Sequence, residues 1–210
     1  MARPSRPLIA TLPHVRKELR RATQDIHDRL HGHPIFRLLL DRSITRDEYR
    51  VLLARLHGFH WPLETALCAY ADRQPCLEMC QRRRAHLLVA DLSALGLSEA
   101  MIAALPLAPP PRGLDNASRF LGCLYVREGA TLGGRALAGK LDHLLGPELA
   151  GRRFFSGSDR DPELWRRCCR AIEALTDVGH LEAMKAAARE TFEAFERWID
   201  RLETNVGSSS

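Results

Sequence analysis

Residues 19–31, LRRATQDIHDRLH, are the stretch that decides the fold. Apolar side chains recur through and just before it at spacings of three and four residues: Val15, Leu19, Ala22, Ile26 and Leu30. This spacing predicts an amphipathic helix with one apolar face. His27 lies at the polar margin of that face, where an imidazole can reach a cavity beside the core.

The composition indicates a globular chain with one substantial core. The chain has 210 residues, of which 45% are hydrophobic. Its net charge of +5 suits acidic partners or anionic ligands. No basic run is interleaved with aromatic residues, so we expect no nucleic-acid binding. No apolar run approaches membrane-spanning length and none near the N-terminus makes a signal peptide, so we expect a cytoplasmic protein without a membrane segment.

Cysteine spacing favours reduced thiols over a metal site. None of the six cysteines falls in a CxxC pair. Cys76 and Cys80 would share a helix face, but no second pair stands at a zinc-like spacing. We expect ordinary thiols, mostly buried, as is typical of a cytosolic protein.

The chain reads as a single all-α domain. We expect a flexible arm over 1–13, one domain over 14–204 and a polar tail over 205–210. No segment alternates apolar and polar residues with period two, which argues against strands. The expected helices are about 14–31, a long helix capped at Ser43 or Thr45, 82–96, about 116–145, one opening at Asp161 and 178–203, with loops over 105–115 and 146–160.

A second informative stretch is residues 120–137, FLGCLYVREGATLGGRAL. It has helical periodicity, yet it contains four glycines, each costing about 1 kcal/mol relative to alanine inside a helix. Gly122, Gly129 and Gly133 share a face on which the backbone is bare. Either another helix packs closely there, or a flat ligand lies against it. A heme fits the second alternative, because a neutral histidine such as His27 binds its iron and the bare helix leaves its other face open.

Taken together, these stretches resemble the heme oxygenase family. Residues 19–27, LRRATQDIH, look like the family's first-helix pattern, and residues 128–134, EGATLGG, look like its distal-helix motif in the bacterial form that often serves bilin or phytochrome systems. Residues 49–64 match the second long helix. The resemblance covers residues 14–203. It implies a single-domain helical bundle that holds heme between the first, proximal helix and a kinked, glycine-rich distal helix.

The resemblance also assigns roles to single residues. His27 would bind the iron. Gly129, Gly133 and Gly134 would lie over the distal face of the heme. Arg20 and Arg166 would reach the heme propionates, since a guanidinium binds both oxygens of a carboxylate. The alternative for each arginine is a solvated surface charge.

Three departures from the family pattern bear on activity. Ala130 stands where many members carry an acidic residue that orders a water chain. His31 stands where many carry a glutamate that hydrogen-bonds the proximal histidine, and a neutral partner makes a less electron-rich ligand. His57 and His60 replace tyrosines. His57 could join the distal water network, although a packed or exposed helix histidine is the simpler interpretation.

The implied reaction is oxidative opening of heme, which is both substrate and cofactor. O2 and external electrons would convert it to biliverdin, carbon monoxide and free iron. Electrons would come from a ferredoxin or a reductase, and a phytochrome is a possible acceptor of the bilin. The chemistry belongs largely to the heme, so the protein supplies binding, orientation and electrostatics.

Three other interpretations remain open at this point. A non-enzymatic heme carrier or sensor would keep His27 but lose the oxygen-activating pocket. A non-heme di-metal oxidase of the same fold would need Glu-x-x-His on facing helices, and the chain has no such motif. A structural helical protein without a cofactor is a third possibility.

Overall fold

The structure, a computed structural model, describes residues 14–72, 79–175 and 177–201. Within those ranges every regular element is helical. This confirms the all-α prediction. The helices are α1 (Val15–Gly32), α2 (Pro34–Leu40), α3 (Arg46–Ala71), α4 (Met79–Arg82), α5 (Ala85–Ala94), α6 (Glu99–Ala103), α7 (Ala117–Ala138), α8 (Asp142–Leu145), α9 (Arg153–Ser156), α10 (Asp161–Glu173) and α11 (Val178–Asp200).

The long helices begin where the sequence signals place them. Thr45 and Glu48 form a reciprocal capping box at the start of α3. Pro162 occupies the first turn of α10, where its missing N–H costs nothing. The Asp177 side chain caps α11 by accepting from the Gly179 N–H at 2.7 Å. Helix α3 continues through Pro62 without a break.

The short helices differ from the sequence-based expectation. α2, α6 and α9 fall in segments that the periodicity left without a helix, and α7 ends at Ala138 instead of continuing to 145. Helices of four to seven residues are too short to show periodicity. A 3₁₀ turn over Gly139–Leu141 links α7 to α8. The most important omission is α9, because it lines the site described below.

A buried carboxylate anchors α9. The Asp91 side chain on α5 accepts hydrogen bonds from the backbone N–H groups of Arg153 and Phe154, both at 2.9 Å. Asp91 has no exposed surface, and burial raises its pKa. The contact satisfies two otherwise free amides at a helix N-terminus. The contact fixes the position of α9 relative to α5. Helical periodicity in the sequence cannot predict such a contact, because it joins residues some sixty positions apart.

The core consists of two apolar clusters. One joins the start of α1 and the second half of α3 to α7, α10 and α11. The other joins the end of α1 to α2, the first half of α3, α5 and α9. In the first cluster α7 packs against α11 and α10, and α1 packs against α11. A cavity lies where the two clusters meet.

The thiols agree with the prediction as far as the described residues extend. Cys123, Cys168 and Cys169 are buried free thiols, and Cys68 is half-buried. Cys76 and the side chain of Cys80 lie outside the described residues. Across the described ranges no group of three or more histidine, cysteine, aspartate or glutamate side chains is placed to hold a metal ion. No helix in that part of the chain is long and apolar enough to cross a bilayer.

Gly122 permits a close contact between α7 and α11. A Cβ atom added there would collide with the Met184 carbonyl oxygen and lie 2.9 Å from the Cβ of Ala187 on α11. Close packing of another helix therefore explains Gly122. This is one of the two alternatives given above for residues 120–137. Gly129 and Gly133, further along α7, have a different environment.

We expect Gly122→Ala to lower the free energy of unfolding by about 1–3 kcal/mol, because the nearest obstructing atom, the Met184 carbonyl oxygen, is backbone of α11 and cannot easily move aside. Gly129→Ala is the matched control, since nothing lies within 4 Å of its added Cβ. The control should be neutral or gain up to about 1 kcal/mol from helix propensity. Urea denaturation without any ligand measures both, and equal stability of the two variants would contradict the assignment.

Candidate active site

A cavity of about 560 Å³ opens between α1 and α7. Residues of α2, α3, α9, α10 and α11 also line its wall. Its size is in the range of pockets that take a cofactor or a drug-sized ligand. The lining is mostly apolar and aromatic, with a few polar groups, among which are Arg20, Thr23, Gln24, His27, His31, His60, Tyr125, Arg127 and Trp165.

His27 stands on the α1 side of the cavity. The predicted apolar stripe is buried except for Ala22, which is half-buried, and Thr23 is buried next to it. The His27 side chain is 50% exposed, so its ring is free to meet a ligand at the margin of the core. Its ring lies 4.5 Å from that of His31 and 6.3 Å, edge-on, from that of Phe192, measured between centroids. The Asp28 carboxylate oxygen is 3.7 Å from its Nδ1.

The opposite wall is bare backbone of α7. Gly129, Gly133 and Gly134 all line the cavity. A Cβ added at Gly129 or Gly133 would meet no atom within 4 Å, so at these two positions a side chain would project into open space. A Cβ added at Gly134 would touch the Phe155 ring at 3.4 Å. The glycines of α7 therefore divide into two kinds: Gly122 serves helix packing, whereas Gly129 and Gly133 leave room for a flat ligand.

The two arginines assigned to propionates are placed differently. Arg20 lines the cavity and is exposed. Arg166 does not line it. Its side chain is 66% exposed and forms an ion pair with Glu163 at 3.0 Å on the surface of α10. Its neighbour Trp165 is the residue of that helix that reaches the wall.

The structure also separates the two histidines of α3. His57 is buried but does not line the cavity, and its ring packs 5.4 Å from that of Trp61. The part of His57 in a distal network therefore stays a prediction, since its neighbour Leu56 lines the cavity and His57 itself does not. His60 lines the cavity instead, between Phe59 and the Phe154 ring. The sequence showed histidine at both positions, but only the helix phase distinguishes them.

A buried ionic network supports the α7 wall. Arg127, which lines the cavity, donates to Glu64 at 2.9 Å and to Glu128 at 2.7 Å. Glu128 also pairs with Arg82 at 3.2 Å. These four side chains are each at most 3% exposed. Two carboxylates thus balance two guanidinium groups inside the protein, as buried charges require.

The network extends to the segment before α5. Both Glu64 oxygens accept from the Arg84 N–H, at 2.8 and 3.0 Å, and one accepts from the Ala85 N–H at 2.9 Å. The Arg84 side chain pairs with Asp161 at 2.8 Å and donates to the Phe154 carbonyl oxygen. Helices α3, α5, α7, α9 and α10 are therefore connected through charged groups directly behind the cavity. The sequence reasoning missed this network, because a charged residue in a helical pattern normally indicates a solvated face.

Comparison with known proteins agrees with this geometry. The family model described as heme oxygenase matches residues 14–203. A curated protein named heme oxygenase, from Xanthomonas campestris pv. campestris, is 39% identical over 131 residues, which cover 62% of this chain and 74% of the relative. The family-model match spans both α1 and the glycine-rich α7.

Solved structures share the fold at low sequence identity. A heme oxygenase-1 from the cyanobacterium Synechocystis, in complex with heme, superposes with a TM-score of 0.73 at 16% identity and covers 92% of this chain and 94% of that one. An NO- and CO-bound heme oxygenase from Neisseria meningitidis gives a TM-score of 0.70 at 17% identity and covers 94% and 95%. The chain therefore belongs to the heme oxygenase family, and it is an oxidoreductase that degrades heme to biliverdin, carbon monoxide and iron.

Proposed function

We propose that His27 binds the heme iron and that Gly129 and Gly133 form the distal wall of the reaction site. The observation that carries this proposal is the pairing of an exposed imidazole on one side of a 560 Å³ cavity with two glycines whose Cβ positions are open on the other. A heme needs one basic ligand and room on its opposite face for O2. The apolar lining suits a porphyrin, which is flat and largely apolar.

Heme supplies the redox chemistry, and the residues of the chain bind and orient it. The imidazole of His27 would hold the iron of a bound heme at the α1 side of the cavity. The bare stretch of α7 would leave room for O2 and restrict its direction, because Gly129 and Gly133 present only backbone to that side of the cavity. Ala130 is exposed on the same wall, and its methyl group can neither donate a proton nor form a hydrogen bond. The charged groups at the edge of the cavity would determine how the heme is rotated within the plane of its ring.

Hemin titration of the purified protein tests the proposed site. We expect one equivalent to produce a Soret band typical of a histidine-ligated heme. A carrier or sensor would bind hemin equally but keep the band unchanged through repeated reduction in air. A di-metal oxidase or a protein without a cofactor would give no saturable band, and this result would contradict both the site and the family's reaction in this chain.

Arg20 is the arginine at the cavity rim that we propose to bind a propionate. We expect Arg20→Ala to weaken hemin binding about tenfold, because the variant loses one charge-assisted contact in a partly solvated place. The loss should shrink at high salt. Arg50→Ala is the control, since Arg50 pairs with Asp47 at 3.2 Å and does not line the cavity. Fluorescence quenching by hemin measures both, and equal affinities would remove Arg20 from the site.

The remaining partners are proposals from the resemblance and the charge. A net charge of +5 suits an acidic electron donor such as a ferredoxin, although a reductase could serve the same step. A phytochrome is the proposed acceptor of the bilin, and the cytoplasm is the proposed compartment. Reduction of the hemin complex by a ferredoxin system that slows at high salt would support the electrostatic part of this proposal.

A further inference from the structure

A pair of histidines on one face of α1 lines the cavity. His27 and His31 are four residues apart in this helix, and both belong to the wall. Their ring centroids are 4.5 Å apart, and the ring planes are tilted by 46° to each other. Both side chains are exposed, that of His27 to 50%. The proposed heme site uses one imidazole as the iron ligand and leaves the second without a role.

The spacing of the pair suits a metal chelate. Side chains four residues apart lie on the same face of a helix, and two histidines placed in this way bind a single zinc ion in metalloprotease helices. Two nitrogens bound to one ion at about 2.0–2.1 Å lie roughly 3 Å apart, a distance that exposed rings at this centroid separation reach by side-chain rotation. Imidazole nitrogen suits iron, nickel, copper and zinc ions. In the described part of the chain no group of three ligating side chains is placed around one ion, so water would complete the coordination.

The charges around the pair favour a dication. The Asp28 carboxylate oxygen lies 3.7 Å from the Nδ1 atom of His27. A histidine that binds a metal through one nitrogen commonly donates its other N–H to a carboxylate, so Asp28 is placed to support Nε2 as the ligand atom. Arg29, which stands between the two histidines in the sequence, pairs with Glu196 at 2.6 Å. Arg20 also lines the cavity from α1, but it lies about 10 Å from His27 along the helix axis.

We propose that His27 and His31 form a two-imidazole site for a divalent transition-metal ion in the heme-free protein, and that this ion and heme exclude each other. The metal pair follows from the geometry of α1 alone. The exclusion rests on the proposed function, because it requires His27 as the iron ligand. Iron, which the reaction releases, belongs to the class of ions that this pair accepts. A product ion held here would delay binding of the next heme.

Titration of the heme-free protein with Ni2+ tests the pair directly. Calorimetry compares wild type with His27→Ala, His31→Ala and the control His180→Ala. His180 lies on α11, its side chain is 50% exposed like that of His27, and it does not line the cavity. We expect a Ni2+ site in wild type and in the control whose affinity falls at least about tenfold in either pair variant, because a single imidazole loses the effective concentration of the second. Ni2+ bound at thiols elsewhere is common to all four proteins and cancels.

Hemin titration in the presence of Ni2+ tests the exclusion. With Ni2+ at about ten times its own dissociation constant, the apparent hemin dissociation constant of wild type should rise about tenfold, as mass action requires for two ligands at one site. The ratio with and without Ni2+ is taken within each protein, so that a difference in hemin affinity itself cancels. We expect the same ratio in His180→Ala and a ratio below about two in His31→Ala. Mg2+, which prefers oxygen ligands, should not change the hemin affinity of wild type.

Two results would overturn the proposal. The first is Ni2+ binding by His27→Ala and His31→Ala that equals that of wild type. The second is a wild-type hemin affinity that Ni2+ leaves unchanged although the pair binds it, which would overturn the exclusion. Failure of the proposed heme site is recognised separately. Wild type would then give no saturable Soret band with hemin, while the Ni2+ titration would still decide whether the two histidines form a site.

Discussion

Hemin turnover should fall by at least about a hundredfold in His27→Ala and return in part when imidazole is added. The physical reason is that the iron loses its protein ligand, and the small cavity left by the missing ring admits free imidazole in its place. Hemin should still associate weakly, because the apolar wall is intact. The measurement is the absorption spectrum of the hemin complex and its rate of conversion, each with and without imidazole.

His31→Ala is the control for the choice of ligand. His31 also lines the cavity, and its ring lies 4.5 Å from that of His27. If His27 is the ligand, His31→Ala retains a histidine-ligated spectrum without added imidazole. A spectrum that needs imidazole in His31→Ala but not in His27→Ala would transfer the ligand to His31.

Glu64→Ala should lower the free energy of unfolding by about 3–5 kcal/mol, because it leaves a buried guanidinium without one of its two carboxylates. Glu64 is 2% exposed and pairs with Arg127 at 2.9 Å. It also accepts the backbone N–H groups of Arg84 and Ala85, which would lose their partner in the variant. Urea denaturation of the protein without hemin measures the change.

An exposed ion pair on α10 provides the comparison for Glu64. Glu163 pairs with Arg166 at 3.0 Å, and the two side chains are 50% and 66% exposed. Water screens this pair, so Glu163→Ala should cost under about 1 kcal/mol. If Glu64→Ala and Glu163→Ala lowered the free energy of unfolding by similar amounts, burial would not strengthen the ion pairs behind α7, and the prediction would be wrong.

The sequence predicted those parts of the molecule that depend on local chemistry. The apolar stripe of α1, the capping box at Thr45 and the proline at the start of α10 each act within one or two helical turns, so a linear pattern shows them. The all-α class followed from the same signals. The glycines of α7 were identified, but not their division, because the environment of Gly122 depends on α11 and that of Gly129 on a cavity.

The parts that escaped prediction depend on contacts between distant segments. Phe154 and Phe155 reach the cavity because Asp91, some sixty residues earlier, holds the start of α9. His60 lines it and His57 does not, and their similar positions on α3 do not show this difference in the sequence. Arg166 was assigned by similarity of position, yet the phase of α10 directs Trp165 to the cavity instead.

The most direct test of the account is a turnover experiment on the wild-type protein. The hemin complex is formed at one equivalent, a reductant is supplied in air, and the absorption spectrum and released carbon monoxide are recorded together. We expect the Soret band to disappear as a biliverdin spectrum rises, with about one equivalent of carbon monoxide per hemin and none from His27→Ala. A Soret band that persists through repeated reduction, with no carbon monoxide, would contradict the account.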